Sequence, residues 1–383
     1  MKLFRSLLVA PATIGLLAPF STFAGEANLN DISKYSNLEH LDLANAFVND
    51  ELNHDSLLAG GEGLVDSDSY DGGFSETTTA SFSVDAAIGS IDGDTTTEAT
   101  VFEYQYNIGL STSFTGEDSL DVAIDSGSSF AMTNDNPFAF DTGSALSVDG
   151  VTYSFPVGGV SMIVGNDTDI SASFTGACSY SAFTDYMGDC GTGNSLGKGG
   201  NGLTATGSYA FDSGFSIAAG ISSTTDSDTA AKSQVGILTK EGSDSYGIEA
   251  AYTADSWGLA VAYVSDDNAA SDETTSWGIN GTYTFDGASL PSVSVGYETQ
   301  ETSGTDSSGY FIGLTWPEVG PGSVSVGAAT AGNFEDNETE YMTYEASYSY
   351  PVNDGLTVTP GVFIEETAGD DLTGIFVKSS FSF

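Results

Sequence analysis

The sequence predicts an all-β fold, a transmembrane antiparallel β-barrel of about 16 strands with short turns at one end and longer acidic loops at the other. Three observations support this prediction: the composition, a two-residue period in side-chain polarity, and an alternation of tight and long connections. The 383 residues include 47 Gly, 23 Phe and 18 Tyr but only 16% charged residues. A large helical protein would use more Leu, Lys and Glu, so the composition favours strands.

Acidic side chains dominate the charge, with 54 Asp and Glu against 7 Lys and Arg. Such a balance repels phosphate backbones and anionic lipid headgroups, so nucleic-acid binding and a polybasic membrane anchor are excluded. Because 40% of the residues are hydrophobic, the chain has enough apolar side chains to fold, and intrinsic disorder is not expected.

The first 24 residues have the layout of a secretory signal peptide. Lys2 and Arg5 precede an apolar run over 7–20, and small residues lead to a cleavage position after Ala24. A membrane anchor is the alternative, but the run is short and contains Pro11. No later window offers the roughly 18 consecutive apolar residues of a spanning helix, so an exported product that enters a membrane must do so as a closed barrel.

A second segment separates the signal peptide from the strand pattern. We expect it to be periplasmic and to contain a short amphipathic helix between 37 and 52, where apolar residues recur near helical spacing. The predicted domains are therefore a signal peptide at 1–24, an N-terminal periplasmic segment at 25–75 and an outer-membrane barrel at 76–383.

From about residue 78 onward, apolar and polar side chains alternate, as in strands with one apolar and one polar face. The polar face is mostly Gly, Ser and Thr, whereas the outer face of a soluble sandwich is rich in Lys and Glu. A barrel embedded in lipid around water requires such an arrangement, with the apolar rows outside. The rows begin at Phe82, Phe102, Tyr246, Trp257, Trp277, Tyr310, Met342, Leu356 and Ile375.

Tight and long connections alternate along the chain, which sets the strand count. Turns are expected at 116–118, 156–159, 212–214, 255–256, 286–289, 317–322 and 351–354, and acidic loops at 91–98, 132–144, 167–201, 225–244, 267–273, 302–307, 332–338 and 366–371. Seven turns and eight loops connect sixteen strands. With an even number of strands, the start of the first strand and the end of the last strand both lie on the short-turn, periplasmic side, and the acidic loops lie outside the cell.

No enzymatic site is expected in this barrel. The two histidines, His40 and His54, both lie in the N-terminal segment, so the barrel has no His for Ser-His hydrolysis or a His-rich metal site. No cofactor is expected either.

Several stretches resemble cyanobacterial outer-membrane porins, which are grouped with carbohydrate-selective porins. They are "MKLFRSLLVAPATIGLLAP", "LSTSFTGEDSLDVAI", "YSFPVGGVSMIVG", "YSYPVNDGLTVTPGVF" and "FVKSSFSF". The resemblance implies a trimeric, sixteen-stranded diffusion channel. It also implies that Phe381 and Phe383 form the signal that the barrel-assembly machinery recognises.

Two departures from that family stand out. Many of its members carry a peptidoglycan-binding domain before the barrel, and this chain has only about fifty unrelated residues there, so cell-wall tethering is not expected. Where the family often places an Arg after "VG", this sequence has Gly165, Asn166 and Asp167. The basic wall of the pore is therefore missing.

The longest loop, 167–201, contains Cys178 and Cys190, for which an oxidising periplasm favours a disulfide over metal binding. In order it is the third external loop, which in sixteen-stranded porins folds into the barrel and narrows it. We expect a constriction loop whose shape the disulfide fixes, by roughly 3 kcal/mol in the entropic description. Its charged residues are Asp167, Asp169, Asp185, Asp189 and Lys198.

The barrel carboxylates have three interpretations. They form a solvated acidic surface, or they set pore selectivity, or they bind divalent cations loosely at pairs such as Asp167 with Asp169 and Asp266 with Asp267. Under the second interpretation, inward carboxylates concentrate cations and repel anions. The predicted pore-lining set is Glu103, Asp121, Asp125, Glu249, Glu298, Glu345 and Glu365, faced by Lys378.

The expected function is passive diffusion of small hydrophilic solutes and inorganic ions across the outer membrane of a Gram-negative-type bacterium, with a preference for cations. A carbohydrate-selective porin is one alternative, although Tyr and Phe fall mostly on the outward face. A surface-attached β-rich adhesin or Ca-binding protein is another, but the sequence has no GGxGxD repeats. The expected partners are outer-membrane lipid, two further copies of the chain, the assembly machinery and the solutes.

Overall fold

The computed structural model describes residues 78–93, 100–128, 137–140, 143–196, 202–223, 236–238, 242–267, 273–287, 289–335 and 338–383. These residues form a sheet of seventeen strands. The strands are β1 (Thr78–Asp92), β2 (Val101–Thr112), β3 (Ser119–Ser128), β4 (Ser147–Val157), β5 (Val160–Asn166), β6 (Leu203–Ala210), β7 (Phe215–Ser223), β8 (Asp244–Thr253), β9 (Trp257–Asp267), β10 (Thr274–Tyr283), β11 (Ser292–Thr302), β12 (Thr305–Val319), β13 (Gly322–Thr330), β14 (Phe334–Glu335), β15 (Met342–Asn353), β16 (Leu356–Glu365) and β17 (Leu372–Ser382).

Sixteen of these strands form the wall of a closed antiparallel barrel, as predicted. Each wall strand pairs with its neighbours in sequence, and β1 pairs with both β2 and β17, which closes the sheet. The remaining strand, β14, has two residues and pairs with β12 in a loop, while β13 pairs directly with β15. A closed ladder satisfies the backbone polar groups without water, which the hydrocarbon of a membrane demands.

The apolar rows face outward, as their two-residue period predicted. Ile248 and Trp277 are 57% and 55% exposed, while Glu249 and Gly278, one residue further on, are buried. Had the rows turned inward into a dry interior, the barrel interpretation would have been wrong. Their exposure instead gives the barrel the apolar outer band that contact with lipid requires.

The tight turns lie where they were predicted, but one predicted loop is wrong. The stretch 302–307 contains only a two-residue turn between β11 and β12, with Ser303 at φ 57° and Gly304 at φ 79°. Left-handed residues at both central positions match the twist of a hairpin, which permits this shortest connection. The neighbouring Thr302, Thr305 and Asp306 pair across the hairpin and belong to its strands.

Two external loops bend into the barrel. Residues of the loop 167–201 form short helical turns at Ile170–Ser173, Asp185–Gly191 and Gly193–Leu196. Phe138 and Phe140 of the preceding loop pack with Phe183 on an apolar cluster inside the wall. The expectation that Phe and Tyr fall mostly outside misses this cluster, whose wall residues include Phe363 and Phe376.

None of the helices in the described ranges is long and apolar enough to span a membrane. The predicted signal peptide at 1–24, the segment at 25–75 with its helix, both histidines and Lys198 lie outside the described residues.

Candidate functional site

The constriction loop, which we define as residues 167–201 and which is described up to 196, lies along the inner wall. Its turn at Ile170–Ser173 lies against β5 to β8, the turn at Asp185–Gly191 against β11 to β13, and the turn at Gly193–Leu196 against β9 to β11. The loop therefore runs around the inside of the barrel and back again. It narrows the lumen, as predicted for the third external loop.

Inward-facing glycines make room for the loop on this side of the wall. A Cβ atom added at Gly247 would lie 2.6 Å from the Cδ1 atom of Ile170, and one at Gly361 would lie 2.6 Å from the Cζ atom of Phe183. Real Cβ atoms do not approach other heavy atoms so closely, so a side chain at these positions would force the loop residue that it meets to move. The glycines with this property are Gly220, Gly247, Gly278, Gly296, Gly313, Gly327 and Gly361.

Three wall carboxylates hold the loop by accepting hydrogen bonds from it. The first, Glu249 on β8, accepts bonds from the backbone N–H groups of Thr175, at 2.5 Å, and Gly176, at 3.0 Å. Each of its oxygens receives one donor. Because hydrogen bonds to an ionised acceptor are about twice as strong as neutral ones, this pair fixes the first crossing of the loop.

The second carboxylate, Glu298 on β11, is 1% exposed and holds the returning part of the loop. Its Oε2 accepts hydrogen bonds from the backbone N–H and the hydroxyl of Ser195, at 2.9 and 3.0 Å. Its Oε1 accepts from the side-chain amides of Asn194, at 2.7 Å, and Asn333, at 3.1 Å. Glu298 therefore joins the constriction loop to the loop that contains β14.

The third carboxylate, Glu345 on β15, holds the tip of the loop. It accepts hydrogen bonds from the backbone N–H groups of Phe183, at 2.7 Å, and Thr184, at 2.9 Å, and from the hydroxyls of Thr184 and Tyr180. The Nζ of Lys378 donates to the carbonyl oxygen of Phe183 at 3.3 Å. Lys378 was predicted to face the carboxylates across the pore; in the structure it binds the loop tip.

A neutral side chain joins the outgoing and returning parts of the loop. Asn280 on β10 accepts a hydrogen bond from the backbone N–H of Ala177 at 2.8 Å and donates to the hydroxyl of Thr192 at 3.2 Å. Cys178 and Cys190 form the predicted disulfide next to this point. Cys190 has no exposed surface, and its carbonyl oxygen occupies the space that a side chain at Gly296 would need.

The predicted carboxylates on β2 and β3 have different surroundings. Asp121 accepts a hydrogen bond from the hydroxyl of Ser119 at 2.9 Å, and Asp125 accepts one from Ser147 at 3.3 Å. Glu103 is buried on the same inner face. Asp85 of β1, which is not in the predicted pore-lining set, accepts a hydrogen bond from the hydroxyl of Ser380 at 2.5 Å. These partners belong to wall strands and not to the constriction loop.

Two aspartates of the constriction loop line a cavity of about 250 Å³ together with Glu298 and Glu365. Burial raises the pKa of Asp185 to about 7, and the charge of Asp189 adds to the rise while Lys378 opposes it. Burial also raises the pKa of Asp189 to about 6, with a contribution from the charge of Asp169. Both groups therefore change charge between about pH 5 and 8.

The other predicted aspartates of the loop have structural contacts. Asp169 is buried and accepts hydrogen bonds from the backbone N–H and hydroxyl of Ser171, which caps the first helical turn. Asp167 has a left-handed backbone, with φ 52°, and accepts from the side chain of Asn166. The described residues contain no group of three or more His, Cys, Asp and Glu arranged to hold a metal ion.

The sequence profile of the family described as Gram-negative porin matches residues 83–370. The chain belongs to this porin family. Membership places the protein in the outer membrane and makes it a channel for small solutes. A search of curated protein sequences found no match to this porin.

Solved structures share the fold of this porin at low sequence identity. The high-pH structure of Pseudomonas putida OprB has a TM-score of 0.64 and 12% identity, and covers 80% of this porin and 94% of that chain. An OmpT variant of Vibrio cholerae lacking loop L8 has a TM-score of 0.56 and 10% identity, and the match covers 80% of this porin and 100% of that chain. The anion-selective porin of Comamonas acidovorans has a TM-score of 0.54 and 12% identity, and the match covers 80% of this porin and 99% of that chain.

The wall of this porin closes beside the predicted assembly signal. Phe383 exchanges backbone hydrogen bonds of 3.0 Å with Phe82, and the two rings stack with centroids 6.0 Å apart. Phe381 lies on β17 between Val84 and Leu356. Recognition of these aromatic residues by an assembly machinery stays a prediction.

Sequence reasoning placed the carboxylates of this porin on the inner face but missed which of them hold the loop. A signal was present in the spacing, because Gly247 precedes Glu249 by two residues and Gly296 precedes Glu298 by two. In a strand, residues two apart share a face. The glycine admits the loop backbone, and the carboxylate beside it accepts the loop's N–H groups.

Proposed function

We propose that this porin conducts small hydrophilic solutes and inorganic ions passively and prefers cations. The observation that carries this proposal is the distribution of charge around the passage. Lys378 is the only Lys or Arg among the residues that the structure describes, and it is bonded to the constriction loop. Asp85, Glu103 and Asp121 lie on the inner face of β1 to β3, and the nearest basic residue that the structure describes is Lys378 on β17, two positions from the pairing partner of Asp85.

The constriction loop itself supports this distribution. Its stretch 170–184 has no charged residue, so this part of the loop adds no positive charge to the passage. Fixed carboxylates on the opposing inner face raise the local concentration of cations and lower that of anions. The anion-selective porin of Comamonas acidovorans shares the fold, so the proposed cation preference is assigned to the side chains and not to the fold.

The test is the reversal potential of the refolded porin in a planar bilayer under a salt gradient. A potential of the sign for cation permeation is the expected result, and its size should fall as ionic strength rises because screening shortens the range of the carboxylates. Anion preference would overturn the proposal. Swelling of liposomes in sugar solutions then gives the size limit.

We further propose that the disulfide keeps the constriction in one shape. Since Cys190 is buried when the loop is docked, the test compares porin refolded with the pair oxidised and with the pair reduced. The reduced channel should show a broader distribution of single-channel conductance. Identical distributions would contradict this role.

From the sequence resemblance we also propose the finer assignment to cyanobacterial, carbohydrate-selective-like porins and a homotrimer. The interior aromatic residues pack mainly against one another, which favours general diffusion over a sugar-stacking track. Family membership favours a channel over an adhesin or Ca-binding protein. Cross-linking in detergent should yield a species of three chains, and a monomer alone would contradict the trimer.

A further inference from the structure

A segment of the second external loop also lies inside the lumen. Its segment at 137–140 is described, and Phe140 is buried. The ring of Phe138 meets that of Phe376 edge-on with centroids 5.0 Å apart. Since Phe376 lies on the inner face of β17, a side chain in contact with it must also lie inside the barrel. The constriction therefore contains parts of two loops.

This second loop contacts the tip of the constriction loop. The carbonyl oxygen of Pro137 accepts a hydrogen bond of 2.7 Å from the backbone N–H of Asp185. The rings of Phe138 and Phe183 meet edge-on at 5.4 Å. Lys378 places its Nζ 5.9 Å from the centre of the Phe138 ring and 5.8 Å from that of Phe183, within the range of a cation–π interaction.

The tip is consequently held from two sides. The wall binds the N–H of Phe183 through Glu345 and its carbonyl through Lys378. The second loop binds the next free N–H, that of Asp185, and covers the Phe183 ring. The sequence places Phe138 two residues before Phe140 in this loop but does not show that the two rings turn inward.

We propose that Phe138 is a positioning residue, which holds the tip of the constriction loop in place and thereby sets the size limit of the pore. The proposal rests on the proposed function as a diffusion channel. Phe138 carries no charge, so its action is on the width and steadiness of the passage and not on ion preference. The segment at 137–140 is thus the second structural part of the constriction.

The experiment records single-channel currents of the Phe138→Ala, Phe138→Leu and Phe138→Tyr variants. Loss of two edge-on ring pairs predicts that excursions of Phe138→Ala to higher conductance become roughly tenfold to a hundredfold more frequent. Phe138→Leu keeps apolar volume without a ring and should be intermediate. Phe138→Tyr keeps the ring and should restore the quiet channel.

Two readouts separate positioning from general destabilisation. The reversal potential of all three variants should equal that of the parent, because no charge changes. Phe102→Ala, which removes an outward-facing aromatic ring that is 61% exposed, should leave the conductance trace unchanged. It serves as the matched control.

Two results would overturn the proposal: quiet traces in both Phe138→Ala and Phe138→Leu, or equal disturbance by Phe102→Ala. If Phe138→Ala does not fold, Phe138→Leu decides alone. A parent protein that conducts no ions would instead contradict the channel function, so the two failures are distinguishable.

Discussion

Two arcs of the same inner wall use the same residue types for different purposes. On the arc from β7 to β16, the inward positions include glycines that make room for the constriction loop and three carboxylates that accept hydrogen bonds from it. On the arc from β1 to β3, the carboxylates accept hydrogen bonds from serines of the wall. Strand periodicity thus determines which face of the sheet a carboxylate lies on, whereas its hydrogen-bond partner determines its role.

The difference between the carboxylates of the two arcs has an electrostatic cause. A buried carboxylate is costly unless hydrogen-bond donors surround it, and Glu345 has four such donors from the loop. These donors compensate part of the negative charge, so we expect the carboxylates on the arc from β7 to β16 to act mainly by holding the constriction loop in place. Asp85, Asp121 and Asp125 on β1 to β3 accept hydrogen bonds from wall serines instead, so we expect these carboxylates to act mainly on the ions that pass.

The largest effect should come from Glu345→Ala, which removes four hydrogen bonds to the loop tip. Leaving the N–H groups of Phe183 and Thr184 without their acceptor should cost the docked loop roughly 3 kcal/mol or more. We expect a higher and more variable single-channel conductance. Glu345→Gln retains an acceptor oxygen and should lie between the variant and the parent. Unchanged conductance in Glu345→Ala would show that the loop is held elsewhere.

A second test probes the space for the loop with one added methyl group. Gly296→Ala places a Cβ against the carbonyl oxygen of Cys190, whereas Gly258→Ala, also inward, meets only an ordinary contact of 3.4 Å with Ala177. Backbone atoms yield little, so Gly296→Ala should displace the loop at a cost of about 1–3 kcal/mol. Higher conductance in Gly296→Ala and parent-like conductance in Gly258→Ala are expected. Equal conductance in the two variants would show that the space at Gly296 does not determine the position of the loop.

A third test compares charges on the two arcs through the reversal potential. Asp121→Asn should lower the cation-to-anion permeability ratio roughly twofold to fivefold, the effect of removing about 0.4–1 kcal/mol of attraction. Glu249→Gln should change that ratio less than Asp121→Asn does. A larger change for Glu249→Gln would mean that the loop-holding carboxylates also set selectivity. The two variants remove the same charge, so each is the control of the other.

The smallest effect should be a dependence on pH from the two aspartates of the loop. The pKa values of Asp185 and Asp189, about 7 and about 6, lie above the ordinary value near 4. Their contribution to docking is therefore complete below about pH 4 and is lost as the pH rises through about 6 and 7. Conductance should be steadier, and cation preference weaker, at pH 5 than at pH 8. Asp185→Asn should remove the upper part of this change, and a pH-independent trace in the parent would contradict it.

The barrel could be predicted from sequence because the bilayer acts on every strand in the same way. The alternation of apolar and polar residues predicted which face of each strand points outward. The sequence of tight and long connections predicted sixteen strands, and the two cysteines of the third loop predicted the disulfide. The interior could not be predicted as well, since its contacts join residues more than a hundred positions apart, as between Glu345 and Phe183.

A local signal for the interior does exist. Three-residue apolar runs interrupt the alternation where a wall strand touches the interior cluster or the loop, as at 310–312, 362–364 and 375–377. The central Phe311, Phe363 and Phe376 are all buried inside. Broken alternation in such a barrel therefore marks where something covers the inner wall. The short turn at Ser303 and Gly304 was missed because its acidic flanks resemble those of a loop.

The enclosed position of Cys190 fixes an order of events during biogenesis. The sulfur of Cys190 has no exposed surface once the loop is docked against Gly296, so we expect the two cysteines to be oxidised before the loop docks. Covalent closure of the loop then precedes completion of the wall around it. A strain that oxidises thiols slowly should therefore produce a larger share of channels in which the pair is still reduced.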